Sequence, residues 1–112
     1  MRIVPAALLT LMLAASAAWV ADAPAAWAAD AQVTIKDYMF TPMTLTVPVG
    51  TKVVWTNTDQ TAHTVKSADD ATPFASAALD PGESYAHVFD KPGTYHVLCG
   101  LHPYMRETIV VP

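Results

Sequence analysis

From Val33 onward the chain is punctuated every few residues by Pro, Gly, Asn or Asp, and nowhere is a helical period sustained for a dozen residues. That punctuation restricts it to short strands joined by turns. VTIKDYMF (33–40) alternates Val33, Ile35 and Met39 against Thr34, Lys36 and Tyr38, with Asp37 breaking the parity. TLTV (44–47) stops at Pro48 and Gly50, and KVVWTN (52–57) sets Val53 and Trp55 on one face and Val54 and Thr56 on the other. HTVKS (63–67), SYAHVF (84–89), TYHVLC (94–99) and RETIVV (106–111) complete the predicted strands, with turns at Asp80-Pro81-Gly82 and Asp90-Lys91-Pro92-Gly93. Residues 67–79 lack alternation and carry Pro73, which predicts a loop or a short helix. About seven or eight strands in one small domain need a second layer to bury their apolar faces, so the expectation is an all-β, two-sheet sandwich. Pattern alone leaves the strand order open.

The segment before these strands has a different character. Met1-Arg2 gives a short basic start, an uncharged apolar run covers residues 6–20, and Ala26-Trp27-Ala28 offers small residues at a cleavage position. Residues 1–28 are therefore predicted to be a secretory signal, cut after Ala28, and residues 29–112 the mature domain. An uncleaved anchor is the alternative, although the run is shorter than the roughly 18–20 residues of a spanning helix and is closed by Asp22 and Pro24. Without Arg2 and Asp22, six basic and ten acidic residues become five and nine, a net charge of −4. This balance excludes the clustered basic surface of a nucleic-acid-binding domain. Small exported domains commonly add disulfides or a metal to a modest core, and a single cysteine cannot form an internal disulfide.

That cysteine, Cys99, lies in CGLHPYM, where Cys99, His102 and Met105 recur as C-x-x-H-x-x-M. A strand ending at Cys99, a tight loop through Pro103 and a strand restarting near Arg106 would gather the three side chains around one point. His63, after the polar loop DQTA (59–62), supplies a second imidazole. Two histidines, a thiolate and a thioether form the donor set of a blue-copper electron-transfer site. Taken singly, each residue has a plainer reading: Cys99 as a buried hydrophobe, Met105 as a core filler, His102 as a loop residue, His63 as a polar strand edge. A nucleophilic Cys-His pair lacks an Asn or Asp motif to orient its base. Tetrahedral zinc is the stronger rival, but structural zinc favours several cysteines and Met is a poor zinc ligand. His87 shares parity with Tyr85 and Phe89 and is expected as a hydrogen-bonded histidine at the core edge. His96 is expected to be exposed, and neither is a ligand candidate. Tyr95 and Trp55 read as core rather than as redox relays.

These residues, with Val49-Gly50, VVWTN, Ala62-His63-Thr64-Val65, Gly93-Thr94-Tyr95 and the closing TIVV, resemble a cupredoxin, a small blue copper protein. The short CGLHPYM loop is similar in spacing to the amicyanin type. The resemblance spans essentially the whole mature domain. It implies a Greek-key β-sandwich with copper at one end, His63, Cys99 and His102 as equatorial ligands and Met105 as the axial one. It also implies that the Thr64 N–H donates to the Cys99 sulfur, that Asn57 and Thr64 hold the two loops together, and that His102 reaches the surface in an apolar patch with Leu101, Pro103 and Met43. The function implied is that of a monomeric, periplasmic or otherwise exported one-electron carrier, not an enzyme. An amine dehydrogenase is the suggested donor and a c-type cytochrome the acceptor. A module for copper storage or delivery is the alternative.

Overall fold

The computed structural model describes residues 2, 29–69 and 72–112. Apart from Arg2, the expected leader (1–28) lies outside the described residues. Eight strands form two four-stranded sheets: β1 (Ala31–Lys36), β2 (Met39–Thr41), β3 (Thr44–Thr46), β4 (Thr51–Asn57), β5 (Lys66–Ser67), β6 (Ser84–Phe89), β7 (Gly93–Leu98) and β8 (Arg106–Val111). The first sheet has the order β2-β1-β4-β6 and the second β3-β8-β7-β5. The pairs β1·β4 and β3·β8 are parallel and the others antiparallel, so the chain crosses repeatedly between layers. The expected all-β sandwich is the fold observed.

The alternation seen in the sequence builds the core. Val33, Ile35, Val53, Trp55 and Phe89 are buried from the first sheet, and Tyr95, Val97, Ile109 and Val111 from the second. Each such side chain contributes about 1.5–3 kcal/mol when fully removed from water.

The 33–40 run is not one strand but two. Lys36 pairs with Met39 and Ile35 with Phe40, leaving Asp37 and Tyr38 as a two-residue hairpin turn. Both adopt left-handed backbone, with φ of 53° and 57°. Two-residue hairpins favour this conformation because it matches strand twist, yet each non-glycine residue held there costs about 1–2 kcal/mol. The Asp59 carboxylate offsets that cost, accepting from Asp37 N at 2.7 Å and from Tyr38 N at 2.9 Å.

The 63–67 run also departs from expectation. Only Lys66 and Ser67 join the second sheet as β5, while His63 forms an isolated bridge with Leu79. Among the described residues the 67–79 segment contains no helix. It runs back beside 63–67, with Ser67 N donating to Phe74 O at 2.9 Å and Ser76 N to Val65 O at 2.8 Å. This lays Phe74 into the core beside Trp55. Asn57 at the end of β4, Cys99 just past β7 and Met105 just before β8 bring three chain segments to one end of the sandwich.

Candidate metal centre

Cys99 follows the inward parity of Tyr95 and Val97 and is fully buried. Its Sγ accepts from Thr64 N at 3.3 Å and lies 3.9 Å from Thr64 Oγ1. The same Thr64 hydroxyl accepts from Gly100 N at 2.6 Å. A Cβ on Gly100 would stand 3.0 Å from that oxygen, so a larger residue would require the Thr64 side chain to shift by a few tenths of an ångström. Thr64 therefore ties the histidine loop to the cysteine loop and points an N–H at the sulfur.

His63 reaches the same point from the loop after β4. Asn57, fully buried, braces that loop: its Nδ2 donates to Thr61 O at 2.9 Å and to Leu79 O at 2.8 Å, and its Oδ1 accepts from Asp59 N at 2.9 Å. His63 Nε2 meets Asp59 Oδ2 at 2.8 Å, while Nδ1 lies 3.8 Å from Cys99 Sγ. Burial opposes ionisation of Asp59, but N–H donors from Tyr38 and Asp37, followed by His63, hold its carboxyl below the usual carboxylate range. An ionised Asp59 accepts the Nε2 proton and leaves the Nδ1 lone pair facing the sulfur.

His102 comes from the loop after Cys99, its Nδ1 also 3.8 Å from Cys99 Sγ. Met105 N donates to His102 O at 2.9 Å and Cys99 N to Met105 O at 3.2 Å, which closes CGLHPYM into a compact loop. Met105 is buried. The donor atoms of His63, Cys99 and His102 all lie within 4.8 Å of one another. Bonds of about 2.0 Å to nitrogen and 2.3 Å to sulfur span such a 3.8 Å separation at an angle of about 120°. Each nitrogen and the sulfur could therefore share one ion, and two imidazoles with a lone thiolate suit copper by softness.

The expected partners of the site hold their places. The Thr64 contact to sulfur and the Asn57 and Thr64 braces are present, His96 is exposed, and Trp55 and Tyr95 are core. Leu101, Pro103, Met43 and also Met39 and Tyr104 are exposed on this part of the molecule. His87 differs from expectation. Its ring stacks on Phe74 with centroids 4.2 Å apart and makes no hydrogen bond among the described residues, and burial lowers its pKa, with Asp90 partly opposing.

Three residues escaped the sequence reading. Asp59 is the fourth residue before His63, a spacing that could have marked it as a partner. Tyr38 packs against both histidines, with no local signal to announce it. Glu107 is buried beside Trp55, although its parity with Met105 and Ile109 already pointed it inward.

A two-sheet sandwich with a buried cysteine sulfur beside two packed imidazoles at one end defines a small mononuclear copper protein. The family model described as a Cupredoxin-like domain matches residues 5–111, and the chain belongs to the cupredoxin family. Copper is accordingly the metal that this donor set serves. The chain is 31% identical over 83 residues to amicyanin-alpha of Methylorubrum extorquens, covering 71% of this chain and 70% of the relative. A solved structure described as a novel purple cupredoxin from Nitrosopumilus maritimus superposes with a TM-score of 0.67 at 33% identity, over 74% of this chain and 100% of the other. An oxidised proline-to-alanine mutant of amicyanin superposes with a TM-score of 0.70 at 27% identity, over 74% of this chain and 82% of that one.

Proposed function

We propose that the protein is an exported, monomeric one-electron carrier with a type 1 copper site that His63, Cys99, His102 and Met105 would hold. The observation that carries this reading is Cys99 Sγ held 3.8 Å from both His63 Nδ1 and His102 Nδ1. Bound copper supplies a one-electron Cu(II)/Cu(I) couple. The protein's part is to keep the donors still. Thr64 N–H offsets charge on the thiolate, Asp59 fixes the His63 tautomer, and the buried setting of Cys99 and His63 excludes water. Donor atoms already arranged for the ion leave little to rearrange when the charge changes.

His102 is only partly buried, beside exposed Leu101, Pro103 and Tyr104. A redox partner docking on this apolar surface would come close to a ligand ring, and a small apolar contact suits brief association. An amine dehydrogenase as donor and a c-type cytochrome as acceptor accord with the likeness to amicyanin. The leader-like residues 1–28 support export. The chain is not read as an enzyme, since a single one-electron centre is all that its donor set provides.

Copper delivery would use the same ligands. One observation favours it: Met39 and Met43, both exposed, line a groove with Met105, and thioethers suit Cu(I). Voltammetry and self-exchange kinetics separate the two. A reversible one-electron wave with fast self-exchange supports the carrier. Sluggish redox with rapid Cu(I) transfer to an acceptor supports delivery.

A further inference from the structure

The rings of Tyr38, His63 and His102 are mutually packed: each of the three centroid separations is 5.1 Å. Tyr38 stands nearly perpendicular to both histidines, at 89° and 85°, the arrangement in which a positive ring edge meets a negative face. It comes from the β1–β2 turn, which contributes no proposed ligand. Only an unusual backbone puts it there, since a bulky aromatic residue rarely adopts φ of 57°.

Asp59 is what holds that backbone. Its Oδ1 accepts from Asp37 N at 2.7 Å, and its Oδ2 accepts from Tyr38 N at 2.9 Å and contacts His63 Nε2 at 2.8 Å. One carboxylate therefore fixes the turn that presents Tyr38 and the imidazole that Tyr38 touches. The far end of the ring is fixed as well, with Tyr38 Oη 2.8 Å from Thr61 Oγ1. Thr61 belongs to the loop that Asn57 braces through Thr61 O. Strained backbone that persists because its surroundings overdetermine it is a mark of functional positions.

We propose that Tyr38, set by Asp59, is a positioning residue for the copper ligands: its ring wedges His63 and His102 in their binding orientations before metal arrives and while the redox state changes. Asp59 locks His63 directly, through Nε2. His102 sits on a short loop and is partly exposed, and the Tyr38 ring at 5.1 Å packs against it more closely than the Tyr104 ring at 6.1 Å. The wedge is a property of the apoprotein. Its consequence for electron transfer rests on the proposed ligand set.

The test compares wild type, Tyr38→Phe, Tyr38→Leu and Asp59→Asn, first without metal. Side-chain relaxation and nuclear Overhauser effects from ¹⁵N- and ¹³C-labelled histidine report the order of each imidazole, and the Trp55 indole resonance reports the fold. Wild type is expected to show a rigid His102 ring in contact with Tyr38 in the apoprotein. Tyr38→Phe keeps that order, while Tyr38→Leu loosens His102, and Asp59→Asn loosens both His63 and the Tyr38 turn. With Cu(II) added, loss of the wedge is expected to weaken copper affinity about 10–100-fold. It should also shift the visible and EPR spectra and slow self-exchange about tenfold, with Phe at position 38 close to wild type. A mobile His102 in the wild-type apoprotein would overturn the inference even if Tyr38→Leu does not fold. So would a folded Tyr38→Leu protein with unchanged ring order, spectra and self-exchange. Absence of a copper-thiolate band in wild type would instead count against the ligand set and leave the apoprotein result standing.

Discussion

Trp55 Nε1 donates to Glu107 Oε1 across 2.7 Å in the middle of the sandwich, joining a residue of β4 to one of β8, and Glu107 Oε2 has no hydrogen-bond partner among the described residues. Burial pushes the Glu107 pKa from 4.5 up to about 7, with the Trp55 N–H partly opposing. The folded protein then retains a proton, between pH 4.5 and about 7, that the unfolded chain has released. This contribution is therefore most favourable below pH 4.5 and is lost as pH rises to about 7. The loss is on the order of 3 kcal/mol. Glu107→Gln should flatten it, leaving the variant more stable than wild type at pH 8 but not at pH 4. Urea unfolding of both apoproteins at the two pH values checks this, and parallel pH profiles would contradict it.

Gly100 and Thr64 form a second coupled pair. A methyl group on Gly100 meets Thr64 Oγ1 at 3.0 Å and crowds the bond from Gly100 N. Gly100→Ala is expected to cost about 1–2 kcal/mol of stability. In a Thr64→Ala background the clash is gone, so the same change should cost less. The sign of the coupling energy in a double-mutant cycle decides the matter.

Asn57→Ala would remove three hydrogen bonds at once, leaving Thr61 O and Asp59 N without that partner while Leu79 O keeps the His63 N–H. A destabilisation of about 2–4 kcal/mol is expected, since each buried group left unpaired costs about 1–3 kcal/mol. The loop carrying His63 loses its brace, so copper affinity should fall together with stability. Chemical unfolding and competitive copper titration measure the two effects separately.

The ligand candidates were legible because three of them lie within seven residues, and a thiol, an imidazole and a thioether so spaced have few other joint uses. The strands of the core were legible through simple parity, as in Val53 and Trp55 or Val97 and Cys99. The Asp37-Tyr38 hairpin was not, since neither residue is a glycine or asparagine and the carboxylate that stabilises the turn arrives from Asp59, more than twenty positions away. Glu107 was hidden by its charge, which ordinarily marks a solvent face; only its tertiary partner Trp55 makes the burial tolerable. The 67–79 segment has no alternation because it is held by isolated bridges and by the Ser67 hydroxyl rather than by a continuous ladder.

The most direct test of the account is the visible absorption spectrum of residues 29–112 after addition of Cu(II), with Cys99→Ser as the control. An intense charge-transfer band in the red, bleached by reduction and absent from Cys99→Ser, is the expected result. A protein without that band, or with a weak band indifferent to Cys99, would contradict a copper-thiolate carrier and leave the buried thiol as core packing.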